Sequence, residues 1–93
     1  MTPVERLQNI VNIIHSTGDL AVMAICGVLE DVIKTLWQNG YSKDSFEIRA
    51  INAVGAMLYN FPIYQYNHIF PEPIRCGATL LLTRVIDNLT DKE

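Results

Sequence analysis

The most apolar stretch of the chain is residues 20–29, ten consecutive residues without a charge in a chain of 93. At 100° per residue, the apolar residues of this stretch and of its continuation to residue 38 share one face of a helix. The opposite face is apolar or small at first and polar later: Leu20, Met23, Ala24 and Gly27, then Glu30, Asp31, Lys34 and Gln38. We therefore predict a central helix over residues 20–38, enclosed on all sides in its first turns and emerging into solvent in its last.

The segment before this stretch predicts a first helix over residues 3–16, because its apolar residues also recur at helical spacing. Thr2 can cap this helix, and Glu5, three residues later, can complete a capping box. A break follows, after which either Thr17 or Asp19 can cap the central helix.

Two more helices are predicted after the central one. Asp44, with Glu47 three residues later, predicts the start of the third helix, and Pro62 ends it. Pro73 suits the first position of a fourth helix, whose wide apolar face continues to Leu89. The pattern thus predicts an all-α fold, a compact four-helix bundle that forms a single helical domain over residues 1–93.

Small residues predict where the second and third helices approach each other. Ala24 and Gly27 lie on the central helix, and the third helix carries Gly55 among several alanines. Surfaces of this kind allow close backbone approach. We expect Gly27 to lie in that contact, so that Gly27→Leu would destabilise the fold by about 1 to 3 kcal/mol through overpacking.

Residues 60–73 are dominated by prolines and aromatic residues and predict a stiff, long crossover before the last helix. If residues 63–70 are extended, alternate side chains point the same way. These rings could form a lid on the bundle, a protein interface, or a small-ligand pocket in which an arginine meets a phosphate. Trp37, on the central helix, could be a residue at the rim of the core or an anchor that inserts into a partner. The candidate interface or ligand residues are Tyr64, Tyr66, His68, Phe70, Arg75 and Trp37.

Composition bears on the partner. Hydrophobic residues make up 49% of the chain and charged residues only 18%, which is more apolar surface than a small bundle readily hides. The surplus favours a protein partner, either foreign or a second copy. The seven lysines and arginines are scattered singly in a chain of net charge -3, which argues against duplex nucleic acid.

The sequence also bears on compartment and chemistry. The longest apolar run is about half a membrane span and no secretory signal pattern is present, so we expect no membrane partner and a cytoplasmic location. His15, Cys26, His68 and Cys76 lack metal-ligand spacing, and we expect both cysteines to be small buried hydrophobes. No catalytic motif and no glycine-rich phosphate loop is present. We therefore predict a protein that is not an enzyme and binds neither a metal nor a cofactor.

These observations favour a non-catalytic small protein that acts by binding other protein and that self-associates as a homodimer or small homo-oligomer. Its size and acidity are typical of an adaptor or inhibitor, such as the accessory proteins that phages and other mobile elements use against host machinery. One alternative is a small-ligand binding protein, with a nucleotide as candidate ligand, whose site lies between the bundle and the aromatic segment. Another is a structural subunit of a larger assembly.

Overall fold

The computed structural model describes residues 2–16, 22–62, 65 and 70–91. Within those ranges it is all-helical, as the sequence pattern predicts. The helices are α1 (Pro3–His15), α2 (Val22–Gln38), α3 (Phe46–Asn60) and α4 (Glu72–Asp91). The predicted caps Thr17 and Asp19 of the central helix lie outside the described residues.

The four helices form a ring in which each contacts two neighbours. Contacts link α1 with α2, α2 with α3, α3 with α4 and α4 with α1, and neither diagonal pair touches within the described residues. Ile13, near the end of α1, and Ala24, near the start of α2, line the same groove. A methyl group on Gly77, near the start of α4, would lie 3.9 Å from Met57, near the end of α3. Sequential neighbours are therefore antiparallel, and the 61–71 connection joins adjacent helices at one end of the bundle.

The core lies where the four apolar stripes meet along the axis of the ring. On α2 it takes every third or fourth residue, which confirms the predicted helical stripe. The end of the connection before α4 contributes an aromatic ring. The buried hydrophobic residues are Leu7, Ile10, Ile14, Ile25, Leu29, Val32, Leu36, Ile48, Ala50, Ile51, Val54, Leu58, Phe70, Ala78, Leu82, Val85 and Leu89.

The starts of α1 and α3 are both capped by side-chain hydroxyls. At α1 the predicted capping box is confirmed, since Thr2 Oγ1 accepts from the Glu5 N–H at 3.1 Å and the Thr2 N–H donates to Glu5 Oε1 at 3.4 Å. At α3 the cap is Ser45, whose Oγ accepts from the Ile48 N–H at 3.4 Å, so the predicted Asp44 cap is wrong by one residue. Consecutive polar residues leave the sequence with two competent caps.

α4 begins at Glu72, one residue before the predicted start at Pro73. The Pro71 carbonyl accepts from the Arg75 N–H at 3.1 Å, the first hydrogen bond of the helix. Pro73 therefore takes the second helical position, where a missing N–H costs nothing because that group has no partner within a helix.

Glycine is required where α2 ends. Gly40 has a φ of 94°, in the left-handed region. Its N–H donates to the Trp37 carbonyl at 3.1 Å, and the Tyr41 N–H donates to the Leu36 carbonyl at 3.0 Å. This pair of hydrogen bonds is the Schellman motif, which needs a residue free of a Cβ at the left-handed position. The side chain of Tyr41 packs against the core.

The first turns of α2 are not enclosed on all sides, which corrects the prediction from the apolar run. Met23 is 71% exposed, and Ala24 and Gly27 are exposed as well. A Cβ on Gly27 would meet nothing within 4 Å, so the expected overpacking by Gly27→Leu does not apply. The close approach of α2 and α3 lies at Gly55, where an added Cβ would stand 3.9 Å from Leu29 Cδ1.

Two glycine substitutions test these backbone assignments. Gly27→Ala should stabilise the fold by about 0.5 to 1 kcal/mol, because it removes backbone freedom in an exposed helix interior and meets no neighbour. Gly40→Ala should destabilise it by about 1 kcal/mol, because alanine is strained at positive φ. Urea unfolding at low protein concentration measures both. A loss of stability in Gly27→Ala would contradict the exposed position of this residue.

Candidate functional site

Of the site residues predicted in the connection before α4, the structure describes only Phe70. Tyr64, Tyr66 and His68 lie outside the described residues. Phe70 is fully buried, and its ring centroid lies 5.4 Å from that of Phe61, with the ring planes tilted by 53°. Phe70 therefore belongs to the core and is out of reach of a partner.

The predicted extended conformation of residues 63–70 does not hold at Gln65. Its N–H donates to the Pro62 carbonyl at 3.0 Å, which is the hydrogen bond of a tight turn. Gln65 therefore belongs to a turn rather than to an extended segment.

Trp37 lies on the solvent side of α2. It is 70% exposed and is not among the partly buried side chains that pack against the core. Trp37 directly follows the buried Leu36. Because consecutive residues of a helix are about 100° apart around its axis, the side chain of Trp37 points away from the core. The core-rim role, which the sequence favoured for Trp37, is therefore wrong, and the anchor role stays a prediction.

Arg75 and Thr79 lie one turn apart on α4 and carry unsatisfied polar atoms. Arg75 Nε and Thr79 Oγ1 are both buried, and neither has a hydrogen-bond partner in the structure. A buried polar atom without a partner costs about 1 to 3 kcal/mol. This pair is therefore a candidate contact for an additional polar group.

Another candidate site is the outer side of the α2–α3 pair. A groove of about 420 Å³ runs between the two helices. Tyr59, 62% exposed, lies on the α3 side of this groove, and the exposed Met23 lies one turn before Cys26 on the α2 side. Glu30 is the only charged residue that lines the groove. We call this surface the α2–α3 face and define it by Met23, Cys26, Gly27, Ala56 and Tyr59.

Sequence reasoning missed Tyr59 and Ala56 as site residues. A detectable signal was present, because both positions fall outside the buried stripe of α3 and lie three residues apart on one side of the helix. The sequence pattern placed the alanine among the small residues of a tight contact with α2 and assigned no role to the tyrosine.

The two cysteines differ from the predicted buried hydrophobes. Cys76 is exposed, because a step of two residues turns it to the side of α4 opposite the buried Ala78. Cys26 is half-buried, and its thiol donates weakly to the Gly55 carbonyl at 3.8 Å. Burial raises the pKa of the Cys26 thiol, and the nearby Glu30 carboxylate raises it further. A thiol in this environment is a poor nucleophile at neutral pH.

Two further kinds of feature are absent from the described residues. No three side chains from His, Cys, Asp and Glu converge there in a way that could hold a metal ion. No described helix combines the length and apolar character needed to cross a membrane.

The difference between the cysteines is measurable by alkylation. In Cys26→Ser and Cys76→Ser variants, iodoacetamide at pH 8 should modify the remaining Cys76 at least about tenfold faster than the remaining Cys26, because the thiolate is the reactive form. The rate for Cys26 should keep rising at higher pH, as expected for a raised pKa. Equal rates in the two variants would show that Cys26 is freely accessible.

Comparison with known proteins identifies no relative. No protein family, no curated protein and no solved structure matches this chain. A functional assignment therefore rests on the chemistry of its surfaces.

Proposed function

We propose that this protein acts by binding other protein, and that one partner is a second copy of itself, docked through the α2–α3 face. The observation that carries this proposal is that part of the uncharged run is exposed, at Met23, Ala24 and Gly27. Exposed apolar surface of this kind is removed from water most simply by a protein partner.

The composition of the α2–α3 face supports this role. Methionine and tyrosine are enriched in the centres of protein interfaces, and the face exposes Met23 and Tyr59. Between them, Gly27 and Ala56 present little bulk, so another helix could approach closely. A two-fold axis through the face would bring it against itself, which is the commonest symmetry of soluble oligomers.

The molecule is large enough for such a contact. A stable interface buries about 800 Å² on each partner. The molecule measures 39 by 22 by 19 Å, so one long side provides roughly that area. The contact would therefore occupy most of the outer side of α2 and α3.

Within this proposal the dimer or small oligomer serves as an adaptor or inhibitor for a foreign protein. Trp37 supports a second contact of this kind, since its exposed ring lies in the polar half of α2, close to Lys34 and Gln38 in sequence. Tryptophan is among the residues most often found as binding hot spots. It would act as the anchor for the foreign partner.

Sedimentation equilibrium across a dilution series tests self-association. The wild-type chain should dimerise, and Met23→Glu and Tyr59→Glu should each weaken dimerisation by about tenfold or more, because each places a charge in the apolar contact. Leu80→Glu is the matched control, since Leu80 is 64% exposed on α4 and should leave the dimer intact.

A wild-type monomer at all concentrations would overturn the self-association proposal. Disruption by Leu80→Glu alone would assign the contact to a different face. Growth without a limiting mass would instead favour the structural subunit of an assembly.

A specific observation favours a second candidate function, the binding of a small anionic ligand near the start of α4. The unsatisfied Arg75 Nε and Thr79 Oγ1 would both gain a partner from a phosphate oxygen. The N-terminal end of a helix adds a favourable dipole for an anion. A nucleotide could supply this phosphate while its base stacks on aromatic residues of the connection.

Thermal unfolding with ATP, ADP or inorganic phosphate tests this alternative. A ligand at a hundredfold excess over its Kd should stabilise the fold by roughly 2.7 kcal/mol. Arg75→Gln and Thr79→Val should abolish the gain, whereas Arg84→Gln, an exposed arginine on the same helix, should preserve it. No stabilisation by any of the three probes would exclude the phosphate site.

A further inference from the structure

A second groove, between α3 and α4, differs in chemistry from the α2–α3 face. It has a volume of about 610 Å³. Its floor is formed by the buried Ala50 and the partly buried Leu81, and Phe46, 44% exposed, lines it at the start of α3. Leu80, the residue before Leu81, adds an exposed apolar side chain on the outer side of α4.

The charged side chain that lines this groove is basic, although the chain as a whole has a net charge of -3. Arg49 is the only charged residue among those that line it. Arg49 is exposed, and it forms no ion pair with a carboxylate among the described residues. Arg84 follows Leu81 by one turn on α4, and the antiparallel alignment places it toward the Phe46 end of the groove. Of the carboxylates of α4, Glu72 stands at the start of the helix, and Asp87 and Asp91 follow Arg84 by one and two turns.

We propose that the α3–α4 groove binds an acidic amphipathic helix of a foreign protein. Leucine-type side chains on one face of that helix would fill the space above Ala50 and Leu81, as in other helix-in-groove complexes. An aspartate or glutamate beside this face would form a bidentate pair with Arg49, a geometry that the planar guanidinium favours. A second carboxylate, about one helical turn away, would meet Arg84.

The small residues along α3 explain why a helix fits this groove better than an irregular loop does. Ala50 and Ala53 stand one turn apart and project little, so they leave a straight channel along the helix axis. The ridge of an incoming helix packs into a channel of this shape. The inference rests on the proposed protein-binding function, but it uses a different face from the proposed dimer contact.

Selection from a displayed library of random peptides, each about 16 residues long, tests this inference with the wild-type protein as bait. Bound peptides should be enriched in aspartate and glutamate that flank apolar residues at i, i+3 or i+4, and i+7. In NMR titrations with one selected peptide, the largest shifts should lie on Phe46, Arg49, Ala53 and Leu81. Higher ionic strength should weaken binding.

Charge reversal supplies the matched control for the selected peptide. Arg49→Glu should weaken its binding by about tenfold or more, because the peptide carboxylate would then face a like charge. Lys34→Glu makes the same change of charge at an exposed position of α2 and should have little effect. Arg49→Glu should unfold with the wild-type midpoint, since Arg49 is exposed.

Three results would overturn the inference. The first is a library that yields no enriched peptide or only peptides without acidic residues. The second is equal binding by Arg49→Glu and wild type. The third is dilution-dependent NMR shifts on Phe46 and Leu81 in the absence of peptide, which would assign the groove to a second copy. None of these results bears on Met23 or Tyr59, so the dimer proposal is tested separately.

Discussion

The structure depends on a geometric constraint: in a ring of four helices, each helix has only two neighbours. The apolar stripe of each helix can be buried between them, and the side opposite the axis always meets solvent. For α2 the neighbours are α1 and α3, and Ile25, Leu29 and Val32 point between them. Because none of the other described helices covers the outer side of α2, Met23, Ala24 and Gly27 are exposed.

Because of this constraint, the two halves of α2 differ in the polarity of their exposed side. In the second half the outer side carries Glu30, Asp31 and Lys34, which are suited to water. In the first half it carries Met23, Ala24 and Gly27, which gain nothing from water and contribute little to the core. Selection for stability alone does not explain apolar residues at these positions, since charged residues there would leave the core unchanged and improve solubility. The proposed association with protein would explain them.

The sequence predicted the helices and their buried stripes well, because helical periodicity is a local property. It also predicted the α1 cap, where Thr2 and Glu5 offer a single complete capping box. It was wrong where the answer depends on a neighbour. The apolar outer side of α2 reads as core unless the number of helices around it is known, and the cap of α3 shifted from Asp44 to Ser45 because adjacent residues were equally competent.

The site was harder to predict than the fold for a related reason. Phe70 and Trp37 are both aromatic residues beside apolar runs, yet one is fully buried and the other lies in solvent. Composition alone does not distinguish them, because the difference lies in whether the fold directs each aromatic side chain toward the core or toward solvent. The grooves beside α3 were not predicted either, because each is formed by side chains of two consecutive helices whose relative rotation the sequence pattern does not give.

The outer side of α3 links the two proposed contacts. Asn52 lines both the α2–α3 groove and the α3–α4 groove, so the two surfaces meet along this helix. The dimer contact would use its later turns, at Ala56 and Tyr59, and the acidic helix its earlier turns, at Phe46 and Arg49. A second copy that extended past Asn52 would compete with the acidic helix, and one that stopped short of it would leave the groove open. The side chain at this position is therefore where self-association and partner binding would become coupled, and thermodynamic linkage requires that any such coupling act equally in both directions.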